Sequence, residues 1–417
     1  MYEEQNFDHD TIGKTHKTKK IVKTVVIVSV LVIFVVVAAL FFKLYNGERK
    51  INPDVSLDSP DKSQDVSVSM DFSHELSEDA SVEASFESDD ISEEQTSETS
   101  EESSIEPEHG WVINSMGYTY LYQGKGYNQF NGTKALAEKY AEALNNLVSN
   151  LTFPVYSMIA PTSVEFADIP YDVKKTDDFY NSSQKTFISN VNSTSEAIEI
   201  DIYSVIASLV DEEYLYLRTD KNWTADAAYL AYLEFCTAVG VSPKNKEEYE
   251  MGSYVGYLGS FYNSTGSKKL KENADIVNYY RINDVYPCSV TMYNGNLVYN
   301  DRALIYSQLS SPISYGYYAF LGDRGETFTI TSQNSETEKS LLVIGDSSAF
   351  AFVPYLVANY RNIYFINTEA YGGTLDKYLE DKNIDEALVL SYASTAASAS
   401  CINKLNSICP IDQNQSE

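Results

Sequence analysis

The stretch "LLVIGDSSAF" (Leu341–Phe350) decides the fold class. Its first four residues form a short apolar run typical of a buried strand, Gly345 allows a tight turn, and Ala349–Tyr360 can continue as a helix. Downstream, segments 361–371 ("RNIYFINTEAY") and 375–393 ("LDKYLEDKNIDEALVLSYA") again alternate short apolar runs with helical character. This alternation predicts an α/β protein with a parallel sheet and flanking helices.

Ser347 is the candidate nucleophile of this stretch. The predicted strand and helix would place it at the carboxyl end of a central strand, where open α/β sheets bind ligands. A helix N-terminus there would offer backbone N–H groups and a positive dipole to a developing oxyanion. The neighbouring Asp346 and Ser348 are candidate substrate contacts. The alternative interpretation is that Asp346 or Ser347 only caps the helix.

A second motif, Asp220-Lys221-Asn222-Trp223-Thr224, follows the apolar segment 214–218. Its last residue suits the N-cap of a predicted helix, Thr224–Val239. Lys221 and Trp223 are candidate substrate contacts, and the alternative is an ordinary capped loop. Because both motifs are predicted at strand-to-helix junctions, we expect their side chains to share one cleft.

The other predicted elements complete a domain over residues 110–410. Paired strands are expected around Gly117, a helix within 131–151, a strand within 154–161 and a helix within 179–191. The segment 248–335 is rich in Tyr, Gly and Asn with alternating apolar positions, which predicts a β-rich insertion over the sheet.

The N-terminal segments predict a membrane anchor. Five lysines within residues 1–23 precede the uncharged apolar segment 24–42, whose helix would be about 28 Å long at 1.5 Å per residue. A signal peptide is the alternative, but its apolar region is usually about 7–15 residues long. We therefore expect a cytoplasmic N-terminus, a single pass through the lipid at 24–42 and an extracellular C-terminal domain.

The net charge of −30 is concentrated in one segment. Residues 51–108 contain 19 Asp or Glu and a single basic residue, Lys62. This Ser/Glu-rich composition cannot bury enough surface to offset chain entropy, so 43–109 is predicted to be a disordered linker. The acidic balance makes a nucleic-acid partner improbable on electrostatic grounds.

The chain has four cysteines, and their spacing fits no zinc pattern. An extracellular location allows disulfides in three pairings, of which Cys401–Cys409 is the easiest by proximity. Buried free thiols are the alternative. The sequence predicts no metal site and no cofactor.

Several stretches resemble one known family over about 111–405. Segments 160–163 ("APTS"), 256–266 ("GYLGSFYNSTG"), 341–356 and 383–395 are similar to stretches of the DHHW family, bacterial envelope proteins related to alginate O-acetylation factors of the SGNH-hydrolase superfamily. The resemblance implies an SGNH/flavodoxin-like sheet. It also implies a catalytic triad with Ser347 as the nucleophile, Asp220 as the acid and position 222 as the base.

This sequence departs from the family pattern at the base. The family's Asp-His-His-Trp is Asp220-Lys221-Asn222-Trp223 here, and an asparagine cannot take a proton from serine. Lys221 and His109 are the alternative bases. At Glu369, where relatives often carry an arginine, the local charge is reversed.

The resemblance therefore implies a protein that binds, or helps to O-acetylate or deacetylate, cell-surface polysaccharide, as a pseudoenzyme. A membrane-bound O-acyltransferase is the implied partner. Two alternatives stay open: an active Ser347-dependent O-acetyltransferase or esterase with a non-standard base, and a non-catalytic adhesion or scaffolding module.

Overall fold

The computed structural model describes residues 109–114, 117–322 and 324–409. The predicted cytoplasmic tail 1–23, the anchor 24–42 and all but the last residue of the linker 43–109 lie outside these residues and stay predictions. In the part that the structure describes, every helix is too short or too polar to cross a bilayer.

The described strands are as follows. They are β1 His109–Asn114, β2 Gly117–Tyr122, β3 Lys125–Tyr127, β4 Val155–Ala160, β5 Ile198–Ile200, β6 Met251–Tyr257, β7 Asp275–Tyr280, β8 Cys288–Asn294, β9 Leu297–Tyr299, β10 Thr327–Ser332, β11 Ser340–Gly345, β12 Asn362–Asn367 and β13 Glu386–Tyr392. Eight of them form the central sheet in the order β5-β4-β13-β11-β12-β10-β8-β9. The first five run parallel, and the last three add an antiparallel edge. The fold is thus mixed α/β with a mostly parallel sheet, as predicted.

The α-helices complete the domain. They span Lys134–Asn150, Tyr171–Thr176, Gln184–Asn192, Ile202–Leu209, Ala225–Val239, Ser260–Thr265, Lys268–Glu272, Ile282–Val285, Pro312–Tyr315, Ala349–Phe352, Leu375–Leu379, Ala393–Ala396 and Ala399–Ile408. The helix Ala225–Val239 begins where predicted, because the Thr224 hydroxyl accepts a hydrogen bond from the Ala227 N–H. It ends at Gly240, whose φ of 73° is the left-handed conformation that glycine adopts most readily.

The central strand β11 is buried on both faces. Leu341 and Val343 pack into one apolar cluster with the helix Ala225–Val239, and Leu342 and Ile344 pack into another with the helix Lys134–Asn150. Burial on both faces explains why β11 is a continuous apolar run instead of an alternating one.

Three predictions about secondary structure were wrong. The segment 248–335 is not a single insertion over the sheet, because β8–β10 extend the sheet, whereas β6 and β7 pair separately and share an apolar cluster with it. Segment 214–218 forms only one β-bridge, between Tyr216 and Trp223, instead of a strand. The chain turns back on itself here, because the Leu217 N–H donates to the Asn222 carbonyl and the Thr224 N–H donates to the Leu215 carbonyl. The helix after Ser347 is only four residues long, and a 3-10 helix that contains Pro354 follows it.

The cysteines are free thiols. The four are unbonded, and Cys236, Cys401 and Cys409 are buried. The structure therefore supports the free-thiol alternative over a Cys401–Cys409 disulfide.

Candidate active site

The candidate site lies at the carboxyl edge of the parallel strands. The residues that follow β4, β12 and β13 line a cavity of about 360 Å³ at this edge. Its walls include Thr162, Lys221, Thr368, Glu369, Tyr392 and Lys404. Ser347 follows β11, which lies between β12 and β13, so the cavity opens where parallel sheets place their ligands.

Ser347 is buried, with only 1% of its surface exposed, and it is not among the residues that line this cavity. Its hydroxyl oxygen has no hydrogen-bond partner among the described residues. The turn that carries it requires a small residue at 345, since a Cβ there would lie 2.8 Å from the Ala349 Cβ and 2.9 Å from the Leu390 carbonyl oxygen. Because the helix that follows has only four residues, its dipole would stabilise a developing oxyanion less than the sequence predicts.

Asp346 holds the serine turn in place. One carboxylate oxygen accepts hydrogen bonds from the Ser348 N–H at 2.9 Å and the Ser348 hydroxyl at 2.5 Å. The other accepts one from the Tyr392 N–H at 3.0 Å. Burial raises the pKa of this carboxyl above its ordinary value. Asp346 and Ser348 are both buried and bonded to each other, so they shape the turn and offer no free group to a substrate.

Asp220 is buried and accepts four hydrogen bonds. Its Oδ1 accepts from the backbone N–H of Asn222 at 2.9 Å and from the Asn222 Nδ2 at 2.7 Å. Its Oδ2 accepts from the Tyr257 hydroxyl at 2.9 Å and the Ser260 N–H at 2.7 Å. The close approach depends on Gly259, where a Cβ would lie 2.3 Å from the Asp220 Cβ and Oδ2.

Asn222, the residue that the family resemblance assigns to the position of the base, has a fixed orientation. Its Nδ2 donates to the Asp220 carboxylate, which fixes the amide because the reverse orientation would set two acceptors against each other. Its Oδ1 is buried without a partner among the described residues. The amide thus presents a donor to the acid and an acceptor on its other side, as a neutral imidazole would, but its oxygen is far too weakly basic to take a proton.

Trp223 joins the two motifs. Its indole Nε1 donates to the Ser348 carbonyl at 3.1 Å, and its backbone N–H donates to the Tyr392 hydroxyl at 2.8 Å. The residue after Asn222 therefore bonds directly to the residue after Ser347. Trp223, which the sequence predicts as a substrate contact, is completely buried.

The alternative bases have partners elsewhere. The Lys221 Nζ lies 3.2 Å from a carboxylate oxygen of Glu369, on the cavity wall. The His109 Nδ1 lies 2.6 Å from an Asp177 oxygen. The other histidines, His9, His16 and His74, lie outside the described residues. Within the described ranges, neither Lys221 nor His109 forms a hydrogen bond to Ser347.

Comparison with protein families identifies the chain. A family model described as "DHHW protein" matches residues 52–366. The chain belongs to the DHHW family. The resemblance inferred from the sequence is thereby confirmed.

Solved structures share the fold of this DHHW protein. A DHHW family protein from Eubacterium siraeum aligns with a TM-score of 0.60 and 21% identity, over 72% of this chain and 98% of that one. Bacillus cereus PatB1 aligns with a TM-score of 0.54 and 17% identity, over 70% and 99%. The structure of Bacillus cereus PatB1 with a sulfonyl adduct aligns with a TM-score of 0.56 and 17% identity, over 70% of this chain and 98% of that one. Comparison with curated protein sequences gave no match.

Several residues of the site carried no predicted role. Tyr257 and Ser260 hold Asp220, and Tyr392 contacts both motifs. The segment 256–266 was noted only as similar to the family, although a Gly-Ser pair after an apolar strand is a signal for a close backbone approach. In the described chain, no group of three or more His, Cys, Asp or Glu side chains is arranged to hold a metal ion.

Proposed function

We propose that this DHHW protein is a membrane-anchored, outward-facing SGNH-type protein that binds cell-surface polysaccharide, or assists its O-acetylation or deacetylation, with an impaired serine site. One observation carries the proposal. The Asn222 amide is bonded to the Asp220 carboxylate, while Asn222 Oδ1 and the Ser347 hydroxyl oxygen are both buried without a partner among the described residues.

The chemistry of the base supports impairment. Serine is a weak nucleophile until a neighbouring group takes its proton. An amide cannot do so, and removing the serine or histidine of a comparable triad lowers kcat about 10⁶-fold. Two contacts support a binding role for this cleft: Asp220 accepts four hydrogen bonds, and Trp223 joins the loop of Asp220 to the turn of Ser347. A preserved polar cleft without a base fits binding or assistance better than turnover.

The family and the N-terminal sequence supply the setting. The resemblance to alginate O-acetylation factors implies a polysaccharide ligand and a membrane-bound O-acyltransferase as partner. Segment 24–42 would anchor the protein in the cell membrane. The acidic segment 51–108, which has 58 residues, would span roughly 40 Å as a flexible chain, which is enough to hold the domain away from the lipid.

An ester assay tests the proposal. Cleavage of a chromogenic acetyl ester is compared among the native chain, Ser347→Ala, Asn222→His and Asn222→His with Lys221→His. The native chain should match Ser347→Ala. Asn222→His should cleave the ester about 10²–10⁴-fold faster, the usual contribution of a general base, and should lose this gain when Ser347→Ala is added.

A sulfonyl fluoride offers a second readout, since one of the similar structures holds a sulfonyl adduct. Attack by the serine oxygen on sulfur would displace fluoride and label the protein, which intact mass detects. Labelling should require Asn222→His. If the native chain is turned over or labelled, and Ser347→Ala abolishes this, the site is active with an unusual base and the proposed impairment is wrong.

A further inference from the structure

A second concave surface lies beside the β1–β2 hairpin. This hairpin groove has a volume of about 640 Å³, and its lining includes Trp111, Tyr118, Asn128, Asn131, Asp177 and Asp178. Aromatic rings, carboxamides and carboxylates therefore face one depression. Of these residues, only Asn128 also lines the cavity at the sheet edge.

The aromatic wall of the hairpin groove is built by cross-strand pairing. Ile113 pairs with Tyr118 one position before the last pair of the hairpin, Asn114–Gly117, and the two are 65% and 67% exposed. Trp111 lies further in, and its indole N–H donates to the Asp177 carbonyl at 2.8 Å. Its ring packs edge-on against Phe179, with centroids 5.4 Å apart. An indole held this way is an ordered apolar surface that loses little entropy on binding.

The polar wall is a short loop with fixed backbone. The Phe130 N–H donates to the Asn181 Oδ1 at 2.7 Å, and the Phe130 carbonyl accepts from the Ser182 N–H at 2.9 Å. In the part of the chain that the structure describes, the exposed carboxamides of Asn128 and Asn131 form no hydrogen bond within the protein. A carboxamide both donates and accepts, which matches the hydroxyl groups of a sugar.

The charged residues of the hairpin groove indicate which class of sugar it binds. Asp177 accepts hydrogen bonds from His109 at 2.6 Å and from the Tyr120 hydroxyl at 2.7 Å, whereas Asp178 is exposed. No lysine or arginine is among the described residues that line this groove. A chain of uronates or phosphates would meet like charge here, so uncharged sugars fit better.

Asn128 connects the hairpin groove to the cavity at the sheet edge, because it lines both. We propose that the hairpin groove binds an uncharged stretch of a polysaccharide, with sugar rings packed on Tyr118 and Trp111, and that the same chain continues past Asn128 into the cavity at the sheet edge. The second part rests on the proposed function, whereas binding in the groove does not.

Binding measurements on the full-length chain test the proposal. The probes are uncharged hexasaccharides of glucose, mannose, galactose and N-acetylglucosamine, and a galacturonic acid hexasaccharide serves for comparison. Saturation-transfer NMR and calorimetry measure the binding of each probe. At least one uncharged probe should bind more tightly than the uronate. Tyr118→Ala should weaken this binding about tenfold, the loss typical of an aromatic residue at the centre of an interface. Asn128→Ala with Asn131→Ala should also weaken it.

Tyr171→Ala is the matched control, since this tyrosine is 73% exposed and lies outside the groove. Its binding should equal that of the native chain, and all variants should keep the native unfolding midpoint. The proposal is overturned if no uncharged probe binds, if the uronate binds best, or if Tyr118→Ala binds normally. Loss of self-association in Tyr118→Ala with unchanged sugar binding would instead make the groove a contact between copies.

The two proposals fail separately. If the native chain cleaves the ester and Ser347→Ala abolishes this, while Tyr118→Ala still loses sugar binding, the hairpin groove stands and the impaired-site proposal falls. If the ester results hold and Tyr118→Ala has no effect, only the groove is rejected.

Discussion

The indole nitrogen of Trp223 donates a hydrogen bond to the main-chain carbonyl of Ser348 at 3.1 Å. This contact spans 125 residues of sequence and joins the loop that carries Asp220 and Asn222 to the turn that carries Ser347. The edge-on contact between the Trp223 and Tyr392 rings, 5.6 Å apart, supports the same junction. The arrangement of the candidate site therefore depends on one buried side chain that need not touch a ligand.

Trp223→Phe should loosen this junction. Phenylalanine keeps an aromatic ring but has no donor, so the buried Ser348 carbonyl loses its partner, at a cost of about 1–3 kcal/mol in the free energy of unfolding. Urea denaturation measures the loss. In the Asn222→His background the same substitution should reduce ester cleavage. A variant as stable and as active as its parent would show that the hydrogen bond has no structural role.

Gly259→Ala should displace Asp220. The added methyl would lie 2.3 Å from the Asp220 Cβ and Oδ2, and both groups are buried, so the backbone or the carboxylate must shift. Overpacking of this kind typically lowers stability by about 1–3 kcal/mol. Chemical denaturation checks the value, and activity restored by Asn222→His should be lost as well.

Gly372→Ala is the matched control for this substitution. A Cβ at Gly372 would have no neighbour within 4 Å, so stability and restored activity should stay unchanged. Equal effects of the two substitutions would mean that the approach of Gly259 to Asp220 is unimportant.

Local patterns explain which elements could be predicted from the sequence. The strand β11 and the helix Ala225–Val239 follow from a continuous apolar run and a Thr cap, both readable within a dozen residues. The antiparallel edge could not be predicted, because β8 and β10 pair with strands far away in sequence. Nothing within 248–335 distinguishes a strand that extends a sheet from one that covers it.

In the candidate site too, some residues could be predicted from the sequence and others could not. Ser347, Asp220 and Asn222 could be selected from the motifs and the family resemblance. The partners of Asp220 could not, since Tyr257 and Ser260 are 37 and 40 residues downstream and reach it only through the backbone approach at Gly259. The hydrogen bond from Trp223 to Ser348 could not be predicted either, because the two residues lie 125 positions apart in sequence.

The cysteines give a prediction about thiol reactivity. Burial raises the pKa of Cys236 and of Cys401 to about 12 and that of Cys288 to about 11, so little thiolate exists at pH 8. We expect an aromatic disulfide reagent to react slowly with the native chain and with all four thiols after unfolding in denaturant. Reaction of only two thiols after unfolding would reveal a disulfide and contradict the structure.

Asp346 should make stability depend on pH. Because burial raises its pKa in the folded state, the folded chain binds this proton at pH values where the unfolded chain has released it. The contribution of Asp346 to the free energy of unfolding should therefore fall as the pH rises from about 4, the ordinary pKa of the unfolded carboxyl, to the pKa of Asp346 in the folded chain. Above that pH it should stay constant.

Urea denaturation at pH values between 4 and 8 should show a steeper decline for the native chain than for Asp346→Asn, which cannot titrate. The asparagine loses one acceptor for the Tyr392 N–H or for Ser348, so it should be less stable than the native chain at pH 4, and the gap should narrow toward pH 8. Parallel pH profiles for the two proteins would mean that Asp346 stays ionised throughout and that its hydrogen bonds outweigh its burial.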